Sequence, residues 1–179
     1  MAEHAPIKMW MMRFLFCFLV AICMFVLLLP LQTIPKGWAG PDLIIALSFV
    51  WVLRRPEFVP LPLLALIFLL SDLIFQRPPG LWAALALLAA ESLRQRASGL
   101  RDQTFWSEWL TVTSFLILLT LGYRLCLAMV FVEQAPLGLS LIHLMMTIIV
   151  YPVVAFVSAI FFGVRKPAPG DFDTLGGRA

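Results

Sequence analysis

Long apolar runs, broken at intervals by short polar or proline- and glycine-rich stretches, fill the chain from Trp10 onward. A helix needs about 20 apolar residues to cross about 30 Å of hydrocarbon, and the first run, 10–31, meets that requirement. It follows Lys8 and Arg13, is longer than the apolar core of a secretory leader, and precedes no small-residue cleavage pattern. The expectation is an uncleaved first span. Pro30, Pro35, Gly37 and Gly40 then punctuate a loop, with Trp38 at an interface position.

The second run, 41–53, opens on Pro41-Asp42, a helix start that sets a carboxylate at the positive end of the dipole, and stops at Arg54-Arg55-Pro56-Glu57. The third, 58–75, carries Asp72 near its far end and is broken by Gln76-Arg77-Pro78-Pro79-Gly80. The fourth, 81–93, reaches Glu91 before Arg94 and Arg96. After a polar connection, 94–102, the fifth run, 106–132, carries Arg124 and closes at Glu133 to Pro136, and the sixth covers 137–164. Residues 165–179, rich in Gly, Pro and Asp, are expected to form a disordered cytoplasmic tail.

Six runs predict an all-α integral membrane protein, with 1–164 a single polytopic domain folded as a six-transmembrane-helix bundle. The second and fourth spans are short, which suggests packing inside the bundle. Positive-inside asymmetry sets the orientation. With the N-terminus inside, the inner regions hold Lys8, Arg13, Arg54, Arg55, Arg94, Arg96, Arg101, Arg165, Lys166 and Arg178, against Lys36 and Arg77 outside. The expected arrangement is therefore N-in and C-in. The two halves show no matching broken helices, so the inverted-repeat pattern of many secondary transporters is missing.

Composition agrees with the pattern. Of 179 residues, 62% are hydrophobic and 13% charged, with mean hydropathy +0.98. A soluble domain carries roughly a quarter charged residues, and a chain this short has no core large enough for the apolar surplus. Cys17, Cys23 and Cys126 lie inside apolar runs with no metal or redox spacing, and read as small hydrophobes.

Charges inside the runs need partners, because a lone one near the bilayer centre costs at least about 2.5–3.5 kcal/mol. Asp42, Asp72 and Arg124 fall toward the same membrane face, so Arg124 is expected to pair with Asp72 or Asp42. The alternative role, an ion or proton relay, would need an acid further across the membrane. Glu91 and Arg94 share a helical face as a local pair. His143 lacks a second ligand at metal spacing and reads as packed or snorkelling. Ala155 and Ser158 are small enough for close helix contacts. No nucleophile elbow, zinc-protease, phosphate-loop or dinucleotide fingerprint occurs, so neither an enzymatic role nor a cofactor is expected, and nothing points to nucleic acid.

One set of motifs is more specific. Pro41-Asp42-Leu43, the basic turn Arg54-Arg55-Pro56-Glu57, Ser71-Asp72-Leu73 and Pro78-Pro79-Gly80-Leu81 stand in an order and spacing that resembles the MreD family. That family is the rod shape-determining membrane subunit of the bacterial elongation machinery. Phe68 departs from the pattern, since the family often has Gly one turn before the Asp. The resemblance implies a non-enzymatic scaffold in the bacterial inner membrane that supports cell shape and peptidoglycan synthesis. Its main partner would be MreC, and through it RodA, a penicillin-binding transpeptidase and MreB. Arg54 and Arg55 are candidate cytoplasmic contacts on that reading, the alternative being that they only fix topology and meet anionic lipid. The family fold is also considered similar to the substrate-binding subunits of energy-coupling-factor transporters, so a small-molecule-binding subunit is the alternative. A membrane enzyme acting on a lipid-linked precursor is a third, for which no convergent polar site is found.

Overall fold

In the computed structural model the described residues are 4–29, 39–100, 103–132 and 134–164. The expected tail, the loop residues Pro30, Pro35, Lys36, Gly37 and Trp38, and Arg101 and Glu133 lie outside them. Six α-helices and no strand occur among the described residues: α1 (His4–Leu28), α2 (Leu43–Arg54), α3 (Leu61–Ile74), α4 (Leu81–Leu100), α5 (Phe105–Met129) and α6 (Leu137–Phe161). A 3₁₀ turn, Pro56–Phe58, links α2 to α3.

Three helices are long and apolar enough to cross a membrane: α1 from Ile7, α5 and α6. By contrast, α2 has 12 residues and α3 has 14, about 18 and 21 Å at 1.5 Å per residue. Against the expectation, the short helices are the second and third, not the second and fourth. Helix α4 runs seven residues past Leu93, through Arg94 and Arg96 to Leu100. Hydropathy ends where the charges begin, but arginine is a good helix former. Local bonding carries the helix on: Arg94 donates to Val59 O, and Arg94 Nε lies 3.6 Å from Glu91 Oε2.

Helix α2 is the core of the bundle. Eleven of its residues, Ile44 to Arg54, are buried, so it has no lipid-facing side and reads as apolar all round. Helix α4 packs on it and on α3 through Ala83, Ala86, Ala90 and Ala97, whose small side chains let backbones approach. Phe68, where the resembling family often has Gly, is 1% exposed and fills the core. Trp51 is fully buried, with ring centroids 5.2 Å from Phe16, 6.5 Å from Phe58 and 6.5 Å from Phe162. Those contacts gather α1, the 3₁₀ turn and the end of α6 around α2.

The buried residues of helix α1 form one stripe, Met12, Phe16, Val20 and Met24, each four residues after the last, flanked by Leu15, Leu19 and Cys23. Around the bundle the outward faces are apolar: Trp10, Phe14, Phe18 and Phe25 of α1, Leu66 and Leu73 of α3, Leu118 and Leu121 of α5, and Phe156 and Ile160 of α6 are exposed. A belt of this kind is far larger than a soluble monomer leaves open and suits a hydrocarbon surrounding.

Successive helices run antiparallel, so each end of the bundle collects one set of termini. One end holds Asp42, Asp72 and Arg124; the other holds Arg54 and Glu108.

Candidate functional site

At the first end, Asp42 caps α2: its Oδ1 accepts from Ile45 N at 3.1 Å. Asp42 N donates to Thr147 Oγ1 at 2.9 Å, and that hydroxyl in turn donates to His143 O at 2.7 Å. His143 Nδ1 lies 2.6 Å from Gly40 O; a carbonyl only accepts, so Nδ1 carries the proton. These bonds seat the start of α2 beside Thr147, ten residues or about 15 Å in from the first residue of α6.

Asp72 caps a different helix from its own. Its Oδ2 accepts from Gly80 N and Ala83 N, each at 3.0 Å, closing the N-terminus of α4 from the end of α3. Gly80 has φ +86°, with open space where a Cβ would stand, so backbone conformation rather than crowding favours glycine there. Pro41 precedes the α2 cap without a cap bond of its own.

Arg124 pairs with neither aspartate. It donates to Ala135 O at 3.1 Å and Ser140 Oγ at 2.7 Å, tying α5 to the start of α6. The expected Arg124–Asp72 clamp is corrected by this geometry, because Asp72 is engaged with the α4 N–H groups a level below. The cation nearest Asp42 is Arg77, at 3.9 Å, and its guanidinium also lies over Trp82 at 5.0 Å and Phe75 at 5.5 Å.

Because α2 and α4 begin below the ends of α5 and α6, the longer helices overhang them and leave a cavity of about 370 Å³. Arg77, Trp82, Tyr123, Arg124, Ser140 and His143 are among the residues that line it. Trp82 and Tyr123 meet edge to face at 5.2 Å.

The opposite end also has a cavity, about 360 Å³, beside Arg54, Pro152 and Ala155, but there the charge is paired. Arg54 Nε donates to Glu108 Oε1 at 3.2 Å, Tyr151 Oη donates to the same oxygen at 3.0 Å, and Arg54 Nη1 donates to Ala155 O at 2.9 Å and Val164 O at 3.4 Å. Glu108 and Tyr151 are fully buried and Arg54 is 8% exposed. The expected cytoplasmic contact at Arg54 is thereby corrected: its guanidinium points into the bundle. Arg55 is partly exposed beside Glu57, at 3.4 Å. Glu91 is half-buried, 3.6 Å from Arg94, and accepts from Gln95. Arg13 donates to Glu57 O, anchoring α1 to the turn.

Comparison with protein-family models, curated proteins and solved structures gives no match. Function therefore has to be argued from the two ends themselves.

Sequence reasoning passed over Glu108 and Tyr151. The available signal was that Glu108 is the one acid in α5, four residues into a helix of 25. Pro152 offered another. A proline inside a helix leaves the carbonyl four residues earlier without its N–H; that carbonyl, Ile148 O, accepts from Trp109 Nε1 at 3.1 Å. Glu108 and Trp109 thus bind α6 in the turn just before its proline, at Tyr151 and Ile148.

Proposed function

We propose that this chain is a non-enzymatic membrane scaffold of a bacterial cell-elongation complex, MreD-like, with six spans and both ends in the cytoplasm. One observation carries the reading. The polar residues behind the resemblance are engaged in the fold: Asp42 caps α2, Asp72 caps α4, and Gly80 makes the turn between α3 and α4. None of them stands beside a nucleophile or a second carboxylate poised for proton transfer. Residues used this way specify a shape, and a shape is what a scaffold offers its partners.

On this reading MreC is the main partner and RodA, the transpeptidase and MreB are reached through it. Arg54 no longer counts as a free topological charge. The other nine inner basic residues still outnumber Lys36 and Arg77, so the N-in, C-in orientation keeps its support. The short α2 and α3 reach only part way across a 30 Å hydrocarbon layer, and their recessed ends would lie within the membrane on the Asp42 side.

A second reading, a small-molecule-binding transport subunit, is favoured by the cavity at the Asp42 end, whose volume lies in the range of ligand pockets. Co-purification from native membranes in mild detergent separates the two. Recovery of a single-span periplasmic protein with cell-wall polymerases is the scaffold outcome. Recovery of a paired ATPase module and coupling subunit, without wall enzymes, would replace it with transport.

A further inference from the structure

We propose that the cavity at the Asp42 end binds a phosphate-bearing anion between Arg77 and Arg124. The inference rests on the second reading only in treating this cavity as a ligand site, and it names the ligand's chemistry.

The argument begins with charge. Two guanidiniums line the cavity, and no carboxylate does among the described lining residues. The acids of this end are committed elsewhere. Asp72 is fully buried and its Oδ2 accepts from two N–H groups of α4, while Asp42 Oδ1 accepts from one N–H group of α2. Each carboxylate offsets the positive end of the helix it caps. Arg77 stays within a loose 3.9 Å of Asp42. Arg124 is held by a carbonyl and a hydroxyl, and among the described residues no carboxylate pairs with it. Dipoles can orient a guanidinium, but they do not neutralise it.

Geometry supplies the rest. Overhanging helices exclude part of the solvent, which strengthens any ion pair formed inside. Arginine presents planar donors matched to an oxyanion, and a phosphate has enough oxygens to meet both side chains at once. Ser140 and Tyr123 add hydroxyls, and Trp82 and Tyr123 give an aromatic wall for an apolar portion of the ligand. The phosphate could belong to a lipid headgroup or be free in solution; the chemistry in the cavity is the same.

The test uses the full chain in a maltoside detergent, which carries no phosphate. Three conditions are compared: detergent alone, detergent with added phosphatidylglycerol, and detergent with added inorganic phosphate. Trp fluorescence follows binding and thermal unfolding. The wild type should gain stability with phosphatidylglycerol or with phosphate, and which one acts identifies the source. The double variant Arg77→Gln/Arg124→Gln should bind roughly tenfold more weakly or worse, since two charge-assisted contacts are lost. Arg96→Gln removes one positive charge at the other end, as Arg124→Gln does at this one, and should bind as the wild type does. Arg124→Gln alone, whose bonds reach only a loop carbonyl and Ser140, provides the same comparison should the double variant not fold. No response to either phosphate source, or equal responses in wild type and Arg124→Gln, would overturn the proposal. A positive response without co-purification of an ATPase would leave the phosphate site standing while the transport reading fell.

Discussion

The two ends of the bundle use the same residue types to opposite effect. At one, Arg54 is buried against Glu108 and two carbonyls, and Tyr151 donates to the same carboxylate. At the other, Arg77 and Arg124 border an open cavity, and the carboxylates below them cap helices. An arginine surrounded by acceptors is part of the fold. An arginine that lines a cavity and holds only a carbonyl and a hydroxyl is available to something else. Burial and partner identity, not the presence of charge, separate structure from binding in this molecule.

That contrast can be broken by substitution. The largest effect is expected from Glu108→Ala, which leaves a buried guanidinium without its counter-ion; losses of about 3–5 kcal/mol accompany such changes. Thermal unfolding in detergent measures it, and a loss under about 1 kcal/mol would mean the Arg54–Glu108 pair is not a clamp. Replacing the pair together, Arg54→Met with Glu108→Leu, should recover much of the loss.

Tyr151→Phe sharpens the same point at smaller cost. One hydrogen bond to a charged group is removed, worth about 1.5–3 kcal/mol, and a wild-type melting curve would show that Arg54 alone holds Glu108. Asp72→Ala comes next, at about 1–2 kcal/mol for a lost helix cap. Asp72→Asn should recover part of it, because an amide oxygen still accepts. The smallest change in stability, about 1 kcal/mol or less, is expected for Arg124→Ala. If it instead unfolded the protein, the two ends would be alike and the comparison would fail.

Much of the architecture could be read from the chain before its structure. Hydropathy located six helices because each is flanked by proline, glycine or charge, and the cap at Asp42 follows from a short acceptor just before an apolar run. Pairing was harder to read. Asp72, a carboxylate among apolar residues, invites an arginine partner, yet its Oδ2 is taken by backbone N–H groups eight and eleven positions on. Arg54 looked like surface charge because it opens a polar turn, and only the packing of α5 and α6 against α2 brings Glu108 and Tyr151 to it. The cavity was illegible for a similar reason. It arises from the unequal lengths and levels of neighbouring helices, which no single segment encodes.

The bond between Arg54 and Glu108 joins residues 54 positions apart, and this sets an order on synthesis. Helix α1 is long and apolar enough to enter a bilayer as soon as it leaves the ribosome. Helix α2 is not, and when it emerges its terminal arginine has no counter-ion. Until α5 and α6 arrive, it must be sheltered by water, lipid headgroups or the insertion machinery. A nascent chain halted after Leu100 would therefore be a client for quality control, and commitment to the folded state falls late, when Glu108 reaches the membrane.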